Sequence, residues 1–215
     1  MNYKYLFFDL DGTLTDSGAA ITSCAKYALD QLGYKIEPDD KLKRFVGPSL
    51  KDSFEKLYGI TGEENDRGIK LFRSLYVQGG RMYDVTVYPG IPELLDKCQK
   101  AGLVSFVVTS KVTSFAEKII AKVGLSDCFK GIIGPAPDDF SSDKSRLINR
   151  AVADYSLDKK ACVMIGDTRF DIEGAHKARI DSIAVTYGYG DPAEVQMAHP
   201  THYAADAADL ADILL

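Results

Sequence analysis

The amino-acid sequence predicts an α/β protein built on a doubly wound parallel sheet, with a helical insertion directly after the first strand. Short apolar runs rich in β-branched and aromatic residues recur along most of the chain and end in polar or glycine-containing segments. Strands covered on both faces by helices read this way, because neither face needs polar residues. Helical patterns separate most of these runs, and such alternation is what parallel neighbours require. One long stretch near the N-terminus breaks the alternation and marks the insertion.

The first strand is expected over Tyr5 to Leu10 and ends in an acidic cluster. From about Ser17 to Tyr83 there is no convincing strand; Ile21, Ala25, Ala28, Leu29 and Leu32, and later Leu71, Phe72 and Leu75, fall at helical spacing. Turn chemistry at Gly33, Pro38, Gly47-Pro48 and Gly59 divides this stretch into several helices. Val87-Tyr88-Pro89-Gly90 reopens the α/β pattern, so residues 1–16 and 84–215 are assigned to the core and 17–83 to the insertion. Helix Ile91–Ala101 then stops at Gly102, and strand Val104–Thr109 follows. Helix Ser114–Val123 precedes Gly124 and strand Gly131–Ile133. Helix Lys144–Tyr155, strand Ala161–Ile165, helix Asp171–Ala178 and strand Ser182–Val185 complete the pattern.

With 215 residues, 46% of them hydrophobic, the chain can fill the core of one domain and a modest insertion. Its 31 acidic and 26 basic residues give a net charge of −5, which argues against a nucleic-acid or anionic-membrane surface. An anionic ligand would need locally placed attracting groups. Cys24, Cys98, Cys128 and Cys162 form no C-x-x-C pair and read as reduced, buried thiols rather than a zinc site or disulfide framework. No apolar stretch reaches membrane-spanning length, and Met1-Asn2-Tyr3-Lys4 opens no signal or transit peptide, so a cytoplasmic location is expected.

The sharpest chemical feature is Asp9-Leu10-Asp11-Gly12-Thr13-Leu14, at the carboxyl end of the first strand, where open α/β sheets bind ligands. Strand alternation points Asp9 and Asp11 the same way, and two such close carboxylates repel unless a cation or shared proton relieves them. A plain exposed turn would explain a bare D-x-D, but not this string directly after a buried strand. A second strand ends in Thr109-Ser110-Lys111, where the threonine hydroxyl and the N–H groups beyond it can meet an anionic oxygen. A residue simply opening the next helix is the competing reading. A third strand runs into Gly166-Asp167-Thr168-Arg169-Phe170-Asp171; Asp167 adds another carboxylate to the same edge, while Asp171 also reads as a helix cap. Hard oxygen donors of this kind suit Mg²⁺. Lys144, opening a predicted helix, is the favoured lysine, ahead of Lys111 and Lys130. Tyr187-Gly188-Tyr189-Gly190-Asp191 reads as a simple loop, and His176, His199 and His202 lack ligand spacing.

In this order, D-x-D-G-T-L, the strand-end threonine, the lysine and G-D-T-x-x-D resemble the motifs of the haloacid dehalogenase-like hydrolase superfamily, across essentially the whole chain. Residues 17–83 resemble its inserted cap, and the layout looks like the phosphoglycolate phosphatase group. The resemblance implies a Rossmann-like core, an active site between core and cap, and a Mg²⁺-dependent phosphatase acting on a small phosphorylated metabolite. By it, Asp9 is the nucleophile that becomes an aspartyl phosphate and Asp11 the general acid and then base. Asp9, the backbone carbonyl of Asp11 and Asp167 would hold the metal, with Asp171 behind them; Thr109, Ser110 and Lys144 would bind the phosphoryl group. Two departures stand out: Ser145-Arg146 follows Lys144 where many relatives place proline, and Ser110 stands where phosphoglycolate phosphatases often carry asparagine. Arg44-Phe45-Val46-Gly47-Pro48-Ser49 resembles the cap loop that reaches over the substrate, which makes Arg44 and Lys51 candidate substrate contacts.

Asp11 argues against haloacid dehalogenation, because a leaving halide needs no proton. A 5'-nucleotidase, pyrophosphatase or phosphomutase would use the same core residues. Phosphonate hydrolysis would need a cap amine, and none is singled out among Lys26, Lys35, Lys41, Lys43, Lys51 and Lys56. A phospho-accepting signalling domain shares the acids, hydroxyl and lysine, but the large helical insertion fits it poorly.

Overall fold

The computed structural model describes residues 3–137, 139 and 143–215. The strands are β1 (Tyr5–Phe8), β2 (Thr15–Asp16), β3 (Thr86–Val87), β4 (Val104–Val108), β5 (Gly131–Ile133), β6 (Cys162–Gly166), β7 (Asp181–Val185) and β8 (His202–Ala204). Six of them form a parallel sheet in the order β5-β4-β1-β6-β7-β8. The predicted doubly wound architecture is therefore present. In β1, Phe8 lies opposite Val107 of β4 and Ile165 of β6. The residues that next leave the sheet, Asp9, Thr109 and Asp167, thus emerge at nearly one level on the carboxyl edge.

Between β2 and β3 lie α1 (Gly18–Leu32), α2 (Asp39–Leu42), α3 (Leu50–Tyr58), α4 (Gly62–Arg73) and a π-helical turn at Ser74–Gln78. After β3 come α5 (Ile91–Lys100), α6 (Thr113–Lys122), α7 (Lys144–Asp154), α8 (Arg169–Ala178), α9 (Pro192–Met197) and α10 (Ala207–Leu214). Strand alternation sorts the core into two faces. Leu6, Phe8, Val107, Val163 and Ile165 pack with α1, α5, α6 and α10, whereas Phe7, Phe106, Met164 and Cys162 pack with α7 and α8.

The insertion shares the first of these clusters: Ile21, Cys24 and Ala25 of α1, Phe54 of α3 and Phe72 of α4 are buried continuously with the sheet. Helices of two to four turns are marginal alone, so this shared burial, roughly 1.5–3 kcal/mol for each large apolar side chain, is what holds them. Polar contacts reinforce the seam. Arg73 donates from both terminal nitrogens to the Pro137 carbonyl at 3.3 Å, and Arg44 pairs with Glu194 at 3.4 Å. The chain leaves and re-enters the core on a short antiparallel ribbon, with Thr15 opposite Val87 and Asp16 opposite Thr86.

The first strand stops at Phe8, two residues short of the expected Leu10. Leu10 instead closes a turn, its carbonyl accepting from Leu14 N at 3.0 Å and Thr15 N at 2.9 Å, with Gly12 in the left-handed region at φ 88°. The sequence reading assigns no element after Val185 and does not include the β2–β3 ribbon, so β8, α9, α10 and the ribbon are additions. Strands of two or three residues are too short for a period to show, and half-exposed Tyr203 interrupts any apolar run in β8.

Candidate active site

Asp9 is held by its own turn and by α7. One carboxylate oxygen accepts from Leu10 N at 2.8 Å; the other lies 2.8 Å from Lys144 Nζ. Lys144 reaches it from the first turn of α7, where Asp143 caps the helix by accepting from Ser145 N at 3.0 Å. The same ammonium donates to Asp171 Oδ1. Burial alone would lower the Lys144 pKa, but Asp171 and Asp9 outweigh it and keep the group charged.

Asp167 sits at the mouth of β6 and is oriented by two segments. Thr13 donates to Oδ1 at 3.1 Å, and Tyr189 N to Oδ2 at 2.8 Å. A Cβ on Gly12 or Gly188 would overlap the Asp167 side chain, so both approaches require glycine. Tyr189 also anchors the start of the insertion, accepting from Gly18 N at 2.8 Å and donating to Asp16. Asp171 closes the capping box of α8: Oδ2 accepts from Thr168 N at 3.0 Å and Thr168 Oγ1 at 2.8 Å. The readings of Asp171 as helix cap and as a partner behind the metal ligands are thus not exclusive.

Asp9, Asp167 and Asp171 are buried and offer ligand atoms within 4.8 Å of one another. Three carboxylates face one ammonium. Burial raises the Asp9 carboxyl against the pull of Lys144, and the charge of Asp171 adds to the rise. Burial and the charges of Asp171 and Asp9 likewise raise Asp167. Hard oxygen donors that repel one another in a buried cluster fit a small divalent cation.

Asp11 turns away from this group. Its Oδ2 lies 2.9 Å from Lys111 Nζ, while its Oδ1 is buried without a hydrogen-bond partner among the described residues. Lys111 also donates to the Tyr76 hydroxyl at 2.6 Å, so the lysine ranked below Lys144 has its side chain largely buried at the seam between core and insertion. Thr109 is buried and its Oγ1 accepts from Lys111 N at 3.2 Å; Ser110 is half-buried beside it.

Asp9, Asp11, Thr109, Ser110 and Lys111 form the polar floor of a cavity whose wall is mostly apolar, with Phe45, Leu50, Phe72 and Tyr76 from the insertion and Phe115 from α6. Lys144, Asp167 and Asp171 do not line this cavity; Lys144 meets it through its ion pair with Asp9. Arg44 does not line this cavity; paired with Glu194, it borders a separate cleft with Arg169 and Phe170. Lys51 is exposed on α3 and lines neither space. Residues 6–185 match the haloacid dehalogenase-like hydrolase family.

The chain belongs to that family. A 5'-nucleotidase of Pseudomonas aeruginosa is 36% identical over 215 residues, covering 100% of this chain and 96% of its own. A phosphoglycolate phosphatase of Vibrio parahaemolyticus is 26% identical over 221 residues, covering 98% and 96%. The crystal structure of "a predicted phosphatase from Clostridium acetobutylicum" superposes with a TM-score of 0.95 at 34% identity, covering 100% of this chain and 99% of the other. The expected enzyme class, a phosphoric monoester hydrolase of the haloacid dehalogenase-like type, agrees with these relatives. No described helix is long and apolar enough to cross a membrane.

The sequence reading of this hydrolase missed Thr13, Tyr76 and the Tyr189 loop as parts of the site. For the loop, the available signal was Gly188 and Gly190 closely following a buried strand, a spacing that allows close backbone approach.

Proposed function

We propose that this chain is a Mg²⁺-dependent phosphatase that hydrolyses a small phosphate monoester, of the phosphoglycolate type, through an aspartyl phosphate on Asp9. The observation that carries the reading is the pairing of two buried carboxylates with different partners on one cavity floor: Asp9 held by Lys144 and Asp11 by Lys111. An Asp9 oxygen attacks phosphorus while the ester P–O bond breaks, and Asp11 gives its proton to the leaving oxygen. Water then attacks the phosphorus of the aspartyl phosphate and gives a proton to Asp11. The bond to Asp9 breaks, phosphate leaves, and both side chains are restored.

Thr109, Ser110 and Lys144 orient and neutralise the phosphoryl group, which is most of what phosphoryl transfer asks of a protein. Mg²⁺ held by Asp9, the Asp11 carbonyl and Asp167 would supply the positive charge that lets one anion approach another, with Asp171 steadying Lys144 behind them. Residues 17–83 act as the cap that covers the reacting atoms, while Arg44 and Lys51 stand outside the cavity and have no part in this reading.

The wall of Phe45, Leu50, Phe72 and Phe115 favours a second reading, a nucleoside leaving group such as the name of the P. aeruginosa relative implies, because apolar rings pack well against a base. Phosphate release from a panel containing phosphoglycolate, nucleoside monophosphates and sugar phosphates, with Mg²⁺ and with excess chelator, tests both. Chelator-sensitive turnover is expected, and the preferred ester separates the readings. Silence across the panel would refute the phosphatase proposal.

A further inference from the structure

We propose that Lys111 and Tyr76 are positioning residues for Asp11, so that the helical insertion completes the acid–base end of the site by supplying Tyr76. The inference rests on the reading of Asp11 as proton donor and acceptor. Lys111 Nζ is 2.9 Å from Asp11 Oδ2 and 2.6 Å from the Tyr76 hydroxyl, and it lies 4.8 Å from the centroid of the Tyr76 ring. Both side chains of the ion pair are about nine-tenths buried, at 9% and 10% exposure.

An ammonium is a compact charge with three donors, and two of them are engaged here. With Oδ2 of Asp11 held by Lys111, the carboxylate cannot turn freely, and the oxygen left for proton transfer is Oδ1. That atom is buried without a partner among the described residues, on a residue that lines the cavity. The backbone of Lys111 is fixed separately by its N–H bond to Thr109 Oγ1 at 3.2 Å, which ties the clamp to the phosphoryl-binding end. Tyr76 comes from the π-helical turn Ser74–Gln78. Such turns change the direction of the side chains that follow and are frequent at functional sites. Only with the insertion seated does Lys111 have its phenol partner, so a seated insertion and a fixed Asp11 go together.

The test is kcat/KM, which reports the steps through formation of the aspartyl phosphate, for p-nitrophenyl phosphate and for the best alkyl ester of the panel. An aryl oxygen leaves with little help from an acid, whereas an alkyl oxygen needs the proton. Tyr76→Phe keeps the ring and its packing. It should lower the alkyl value roughly tenfold and leave the aryl value within about twofold. Lys111→Met should do the same or more, and the two losses should fail to multiply in the double variant, because both act through one carboxylate. Asp11→Asn should show the same alkyl-over-aryl bias at larger amplitude. Equal loss on both esters, no loss in Tyr76→Phe, or independent multiplication would overturn the inference while Asp11→Asn still reports on the acid. Full alkyl activity in Asp11→Asn would overturn the underlying reading instead.

Discussion

Two charge clusters stand side by side on the carboxyl edge of the sheet, and they are balanced differently. Around Asp9, three buried carboxylates share the single ammonium of Lys144. Around Asp11, one carboxylate faces one ammonium, that of Lys111, which has a phenol as its further partner. The first cluster gathers excess negative charge in a buried place, a charge that a bound proton or a small cation would relieve. The second is balanced as it stands, one carboxylate against one ammonium. Neighbouring aspartates two residues apart thus acquire separate chemistry from their surroundings.

The largest test of this contrast is Asp9→Asn. Turnover should fall by roughly a thousandfold or more, because the proposed nucleophile is gone, while the fold is retained or gains stability as repulsion with Asp167 and Asp171 is relieved. Phosphate release and thermal unfolding on the same preparation check both halves; near-wild-type turnover would remove Asp9 from the mechanism. Next in size is Lys144→Met, which removes the ammonium that pairs with Asp9 and Asp171. Leaving Asp9 and Asp171 buried and unpaired should cost about 3–5 kcal/mol of stability in chelator, measured by denaturant unfolding. Partial recovery on adding Mg²⁺ is expected, and a variant as stable as wild type would mean the cluster is not under-compensated.

A smaller effect is expected from the metal itself. Mg²⁺ at a hundredfold excess over its dissociation constant should stabilise the wild type by about 2.7 kcal/mol. Protons compete for the same oxygens, so the stabilisation should grow with rising pH. Asp167→Asn should abolish most of it, whereas Asp11→Asn should not, since the Asp11 side chain lies outside the carboxylate group. Equal losses in the two variants would erase the distinction between the clusters.

What was legible in the sequence follows from the same physics. Asp9, Asp11, Thr109 and Asp167 stand immediately after apolar strands, so their place on the carboxyl edge could be read from local pattern alone. Lys111 was harder to read because its role depends on partners far off in the chain. Tyr76 is 35 residues away in a helical segment whose docking no period reveals. The loop Tyr187–Gly190 looked like any glycine-rich connection; only the fold brings Tyr189 N to Asp167 and its hydroxyl to Gly18. Arg44 was singled out for its place in a loop, but loop position does not fix side-chain direction, and here Glu194 draws it to the other cleft.

The smallest expected effect supplies a control, a titratable group shifted by burial. Cys98, on the buried face of α5, has its thiol pushed up from about 9 to about 11 by burial alone. The folded protein therefore keeps this proton while the unfolded chain begins to lose its own near pH 9. Native protein binds more protons between those values, so this contribution to stability is complete below pH 9 and declines as pH rises toward 11. Cys98→Ala should be less stable throughout through lost packing, yet its stability should fall less steeply over that window in denaturant titrations. An unchanged slope would mean that burial alone does not shift a group in this core. The raised carboxyls of Asp9 and Asp167 would then have to be ascribed to their neighbours' charges, which would make the case for a bound cation rest on repulsion only.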